Sequence, residues 1–343
     1  MQRTLISLAA FLAAAISVSA QNLSENERLR MENRHLRQEL DSLRREVKQL
    51  KGVTVINLWD NISGIDDDEA WNVDNSGFGL SGRRVETSWA RSVTASVPSL
   101  GLSYDDILKK YVDFYSVSKA KQMASILGRY EKYLPTFRGI FARYGVPEDL
   151  VALCIVESAV SRKALSSANA LGMWQLMPGT AREYGLRVDG TVDERLDIEK
   201  STDAAARLLR DLRRSLGSWA LAVAAYNCGS GGVRKAIVKS GGSRDIWVLS
   251  EYLPGETQAY IPSLVAARYT WLHAEELGIV PRRLPADRFD VAVVQQDTSF
   301  GDLAEFYDLT VSSLANLNPQ FKTGDVPKGS TVTLPYGTLV RKK

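Results

Sequence analysis

The chain is poor in cysteine and histidine and carries little excess of either charge. Cys154 and Cys228 are its only cysteines, and His35 and His273 its only histidines, among 343 residues. That excludes a disulfide framework and a Cys/His zinc motif, and it leaves almost no material for a Ser-His or Cys-His nucleophile. No metal or cofactor is expected. With 43 Lys and Arg against 40 Asp and Glu, the formal charge of +3 is too weak a field for a nucleic-acid binder. Long apolar runs are also absent, apart from one at the start, where Arg3 precedes "LISLAAFLAAAISV" and the small residues "SVSA" follow. This pattern predicts a signal peptide over residues 1–20, too short and Ala-rich for a spanning helix. The expectation is an exported protein of the periplasm or cell envelope, with no transmembrane segment after cleavage. No Cys stands at the cleavage point, so a lipid anchor is not expected.

What is there falls into four textures. Residues 21–51 repeat leucine every seven residues at Leu29, Leu36, Leu43 and Leu50, with Asn33, Leu40 and Val47 in the alternate seam. Leucine at d with one polar a position is the pattern of a short parallel coiled coil. A homodimer or a partner helix through residues 29–50 is one reading, a solvated single helix the other, since three heptads are marginal alone. Residues 52–102 turn to Asp, Asn, Ser and Gly, a linker or an arm packed on its neighbour through Trp59 and Trp71. Residues 103–277 carry helical stripes, such as Ala205, Leu208, Leu209, Leu212 and Leu216 before a stop at Gly217, and no strand-like alternation. Residues 290–338 read as a small βααβ unit, with "VAVV" and "TVTL" as strands around two short helices. The fold class is therefore mainly α.

Within the helical domain, "LVALCIVESAV" is apolar until Glu157 interrupts it. A carboxylate among such neighbours is costly in its ionised form, so its pKa should rise and it should stay protonated near neutral pH. Ser158 beside it could donate a hydrogen bond to a carboxylate or a reacting group. "ALGMWQ" sets Gly172, Met173, Trp174 and Gln175 in a row: a close-approach glycine, an apolar ring and an amide. "AYNCGSGG" ends a helix with Tyr226 and Asn227 before Gly229. Aromatic faces and amides suit an uncharged, amphipathic ligand such as a sugar. Each also has an ordinary reading: Trp174 as core, Gln175 as a cap neighbour, Tyr226 as a packed aromatic, Asn227 as a turn residue. Taken singly the ordinary reading is better; taken with Glu157, they point to a site. Asp193, Glu194 and Asp197 around Arg195 suit a surface turn and a helix start better than a cleft.

The order "VES", "ANALGMWQLMPGTA", "VDERLDI", "AAYNCG" and "ETQAYIP" resembles the lysozyme-like lytic transglycosylases of bacterial cell walls, most closely the membrane-bound lytic murein transglycosylase D type, over about residues 104–277. The resemblance implies a lysozyme-like catalytic domain acting on peptidoglycan, with Glu157 as acid and base and Ser158 supporting it. It implies that Gly172, Met173, Trp174 and Gln175 line the glycan cleft and that Tyr226, Asn227 and Tyr260 lie near the carboxylate. The tail resembles a LysM peptidoglycan-binding module through Leu303, Ala304, Leu314, Leu317, Asn318, Pro319, Pro327 and Gly329, although "VVQQDTSF" lacks the common Gly-Asp-Thr. A disulfide between Cys154 and Cys228 is open to an exported chain, but neither motif requires a cysteine, which favours free thiols.

An ordinary glycosidase needs two carboxylates. The implied lytic mechanism needs one: Glu157 protonates the bridging oxygen, then takes the proton of the muramic acid C6 hydroxyl as it closes on C1, giving a 1,6-anhydro end. A hydrolytic muramidase and a catalytically silent wall-binding scaffold are the alternatives.

Overall fold

The computed structural model describes residues 62–63, 97–101, 106–282, 284 and 288–339. The expected signal peptide and coiled coil lie outside these residues. Of the expected arm, two pieces are described. Ile62–Ser63 (β1) pairs antiparallel with Leu165–Ser166 (β2). Val97 and Leu100 are buried, and the Ser99 amide donates to the Asp149 carboxylate at 2.9 Å.

Residues 106–277 are mainly helical because their apolar residues recur at the helical period, and several of the helices are capped by side chains. The helices are Asp106–Asp113 (α1), Ala120–Arg143 (α2), Leu153–Ser158 (α3), Pro178–Glu183 (α4), Ile198–Leu216 (α5), Trp219–Lys239 (α6), Ile246–Ser250 (α7) and Gly255–Leu272 (α8). Asp197 caps α5 by accepting from the Lys200 amide, and Gly217 ends it in the left-handed region at φ 88°. Helix α6 does not stop at "NCG" as the sequence suggests. Gly229 (φ 78°, ψ 154°) kinks it, and helix resumes to Lys239. The core is filled by Tyr130, Phe137, Phe141, Leu153, Ile155, Trp174 and Tyr260, all buried. Among the described residues, no helix is long and apolar enough to cross a membrane.

Beyond residue 288, Phe289–Val293 (β3) pairs antiparallel with Thr331–Pro335 (β6), and Thr298–Ser299 (β4) with Asp325–Val326 (β5). Phe300–Tyr307 (α9) and Val311–Leu317 (α10) lie between them in sequence. Asn318 is a structural bolt here. It is buried, its amide donates to the Leu314 and Thr333 carbonyls at 2.9 and 2.8 Å, and its oxygen accepts from the Thr333 amide at 2.7 Å. The small core gathers Phe300, Leu303, Leu314, Phe321, Val332 and Leu334, together with Val192 from the helical domain.

Candidate active site

Glu157 is the next-to-last residue of α3, and the chain turns sharply after it. Ala159 and Val160 both take left-handed backbone, φ 50° and 61°. For non-glycine residues each such conformation costs about 1–3 kcal/mol and persists only where the surroundings enforce it. Here the Ala159 amide bonds the Ile155 carbonyl at 2.9 Å, the Val160 amide bonds the Cys154 carbonyl at 3.1 Å, and the Arg129 guanidinium grips the Ala159 carbonyl at 2.9 Å. Nothing in "ESAVS" signals this turn, because the usual marker is glycine.

Glu157 is half-buried, with Cys154 fully buried one turn earlier. Desolvation pushes its pKa up from 4.5 to about 8; the Tyr260 hydroxyl, which donates to Oε1, pulls the other way, and the negative charge of Glu256 adds to the rise. No ion pair to a cation is formed by Glu157 among the described residues, so at neutral pH the group is an acid with a proton to give. Tyr260 is buried, and its own pKa is raised well above 10, first by desolvation and then by Glu157. It therefore acts as a donor and not as a base.

Tyr226 lies near enough that the charge of Glu157 raises its pKa too, after desolvation, but its hydroxyl donates to the Trp174 carbonyl at 2.7 Å. Asn227 is held from both ends. Its amide nitrogen donates to Glu256 at 3.0 Å, and its oxygen accepts from the Thr257 hydroxyl at 2.6 Å. Glu256, Thr257 and Tyr260 share one face of α8 by their spacing of three and four. That spacing is legible in "ETQAY", and Glu256 is the residue that sequence reasoning missed.

Four expected roles differ in the structure, those of Ser158, Trp174, Met173 and Gly172. Ser158 is buried, and its one hydroxyl proton is shared between the Cys154 carbonyl at 3.1 Å and the Met173 carbonyl at 2.9 Å. It ties the 169–176 turn to α3. Trp174 does not line a cleft with its ring, which is 0% exposed. The ring packs 5.1 Å from Phe137 and 5.2 Å from Phe141, and its N–H donates to Thr202 at 2.8 Å, so only its carbonyl reaches Tyr226. Met173 is buried as well.

Gly172 (φ 83°) is a glycine because a Cβ there would lie 2.3 Å from the Arg195 carbonyl oxygen, a close approach to backbone rather than to ligand. Gln175 spends its amide N–H groups on the Ala164 and Gly172 carbonyls at 2.9 and 2.8 Å. Its buried amide oxygen has no partner among the described residues.

The turn is clamped from outside by a pair that is buried and not on the surface as expected. Asp193 and Arg195, each 4% exposed, bond through two contacts of 2.9 and 2.8 Å. Arg195 also donates to the Asn169 and Leu176 carbonyls at 2.7 and 3.0 Å. Cys154 and Cys228 are both free thiols. Among the described residues, no group of three or more His, Cys, Asp or Glu could hold a metal ion.

Against known proteins, residues 136–248 match the family model of the Transglycosylase SLT domain. The chain is 33% identical over 254 residues to the membrane-bound lytic murein transglycosylase D of Escherichia coli K12, an alignment covering 71% of this chain and 54% of the relative. It is 27% identical to the soluble lytic murein transglycosylase of Salmonella typhimurium, covering 57% of this chain and 31% of that one. Among solved structures, the 70 kDa soluble lytic transglycosylase of Escherichia coli is similar over 43% of this chain and 27% of its own, with 26% identity and a TM-score of 0.34. The chain thus spans about half the length, 54%, of the first curated relative it matches.

Proposed function

We propose that this protein is an exported peptidoglycan lytic transglycosylase that cleaves between N-acetylmuramic acid and N-acetylglucosamine and leaves 1,6-anhydro ends. The observation that carries the reading is Glu157, a carboxyl held protonated to about pH 8 with no cation beside it among the described residues and a tyrosine hydroxyl on Oε1. A group poised near the working pH is suited to general acid and then general base work. Protonated Glu157 gives its proton to the bridging oxygen as the glycosidic bond breaks, and the substrate's own N-acetyl group stabilises the cationic C1. The carboxylate then takes the proton of the C6 hydroxyl as its oxygen bonds to C1. No water is consumed, and Glu157 is again protonated.

Tyr260 steadies the ionised stage, Asn227 orients the sugar, and Tyr226, Ser158, Gly172, Met173, Trp174 and Gln175 hold or form the glycan-facing turn. The resemblance to murein transglycosylases supports peptidoglycan as substrate and the cell envelope as location. In the same reading, residues 1–20 are a signal peptide, 21–51 a coiled coil and 290–338 a LysM-like module.

A hydrolytic muramidase is the second reading. Glu256 favours it, being a second carboxylate close enough to raise Glu157 and therefore a candidate to activate water. Digestion of purified sacculi separates the two. Muropeptides one water lighter than hydrolysed ones support the lytic reaction; reducing-end products would replace it with hydrolysis.

A further inference from the structure

The C-terminal module is seated on the loop that leads into the clamp of the 169–176 turn. Residues 187–195 form a tight hairpin: the Asp189 carboxylate accepts from the Thr191 and Val192 amides at 2.8 Å each, and those bonds with Arg187 hold its pKa down to about 2. The hairpin meets the module as a strand would. Val192 bridges Phe321, the Lys322 amide donates to the Thr191 carbonyl at 2.9 Å, and the Asp193 amide donates to the Gln320 carbonyl at 2.8 Å. Two side chains add to this. Lys322 Nζ reaches the Asp189 carbonyl at 2.8 Å and Arg162 reaches the Leu317 carbonyl at 3.3 Å. At the centre Val192, 3% exposed, sits in the module's own core with Phe300, Leu314 and Phe321.

Domains joined by small polar contacts move freely; backbone pairing around a shared apolar knob opposes such motion. The next residues carry the contact inward. Asp193 holds Arg195, Arg195 holds the Asn169 and Leu176 carbonyls, and its own carbonyl is the surface against which Gly172 packs. The Trp174 carbonyl in that turn receives Tyr226, beside Glu157.

From this unbroken series of contacts we infer that the C-terminal module is a fixed part of the catalytic body, and that Val192, docked in its core, is a positioning residue for the 169–176 turn. The inference rests on the lytic reading for its activity consequence alone. A tethered glycan-binding module would act on substrate affinity. A module that braces the turn acts on the chemical step, because an interaction that matters only in the transition state changes kcat and leaves KM nearly alone.

The test uses the full-length protein and the series Val192→Ile, Val192→Ala and Val192→Asp. Amide exchange at Asp193 and Lys322 reports whether the junction opens. Exchange at Gly172 and Gln175, whose amides bond the Ala164 and Gly172 carbonyls, reports whether the turn loosens. Kinetics on soluble glycan strands give kcat and KM. Expected is a kcat within twofold of the parent for Val192→Ile and at least tenfold lower for Val192→Asp, with KM changed less than threefold. Exchange at Gly172 and Gln175 should rise in step. Should Val192→Asp not fold, Val192→Ala carries the same comparison at smaller amplitude. A junction that opens while kcat and turn exchange stay at parental values overturns the inference. If the parent itself released no product, the lytic reading would fail, and the exchange at Gly172 and Gln175 would still decide whether the module braces the turn.

Discussion

Two acidic side chains of this region are treated in opposite ways. Asp193 is buried against Arg195 and accepts two guanidinium hydrogen bonds. Among the described residues Glu157 meets no cation; it accepts from a tyrosine hydroxyl and feels the field of a second carboxylate, and its pKa rises to about 8. The difference separates a carboxylate that holds backbone in place from one kept ready to exchange a proton. Burial alone does not make an acid chemical; burial without a compensating cation does.

The comparison breaks most sharply at Glu157. Glu157→Gln cannot pass a proton, and general acid–base catalysis is worth about 10²–10⁴-fold, so turnover of sacculi should fall by that order. Stability moves the other way. A carboxyl with a folded pKa near 8 and an ordinary value of 4.5 binds more protons folded than unfolded between those pH values, so its contribution is lost as pH rises through that window. The melting temperature of Glu157→Gln relative to the parent should therefore climb from pH 4.5 to pH 8. A difference flat with pH would mean that the carboxyl is not protonated as described.

At Asp193 the expected effect is on folding. Arg195→Met leaves a buried carboxylate unpaired and frees the Asn169 and Leu176 carbonyls, which should cost about 3–5 kcal/mol in urea unfolding. Replacing both partners with apolar residues should recover part of that loss, since the desolvation cost disappears with the charge. A single variant as stable as the parent would remove the clamp from the account.

Much of this contrast is legible in the sequence, and the unread part has a physical reason. Glu157 stands out because one carboxylate in an apolar run is a local signal. The stripe of α5 and its stop at Gly217 are local as well. Trp174 and Ser158 mislead because a flat ring and a hydroxyl near an acid look alike whether they face ligand or core. Only the packing of Phe137 and Phe141, distant in sequence, decides for Trp174. Arg195 reads as a surface residue because its partners, the carbonyls at 169 and 176, are backbone atoms with no sequence signature. The left-handed pair at Ala159 and Val160 is invisible for the converse reason: tertiary contacts impose what composition opposes.

Tyr260 offers a finer probe of the Glu157 side. Its hydroxyl favours the ionised form, so Tyr260→Phe should raise the Glu157 pKa further and move the alkaline limb of kcat/KM to higher pH. A hydrogen bond to a charged group is worth about 1.5–3 kcal/mol, so the step in which Glu157 is ionised should slow by about tenfold or more. A downward move of the limb would reverse the sign assigned to this contact.

Glu256 carries the smallest effect and the most informative one. Glu256→Gln keeps an oxygen to accept from Asn227, so the Asn227–Thr257 arrangement survives and charge alone is removed. The negative charge of Glu256 raises the Glu157 pKa; without it the pKa falls, and the alkaline limb of kcat/KM should move to lower pH. Because Glu256 is exposed, the shift should shrink in high salt, where charges farther apart than about 3 Å at 1 M are screened. The product should still be the anhydro sugar, formed near the parental rate at pH 6, where Glu157 is protonated in both proteins. A rate that instead collapses at every pH would make Glu256 a participant in the reaction, and a simultaneous loss of reducing-end products would identify it as the carboxylate that activates water.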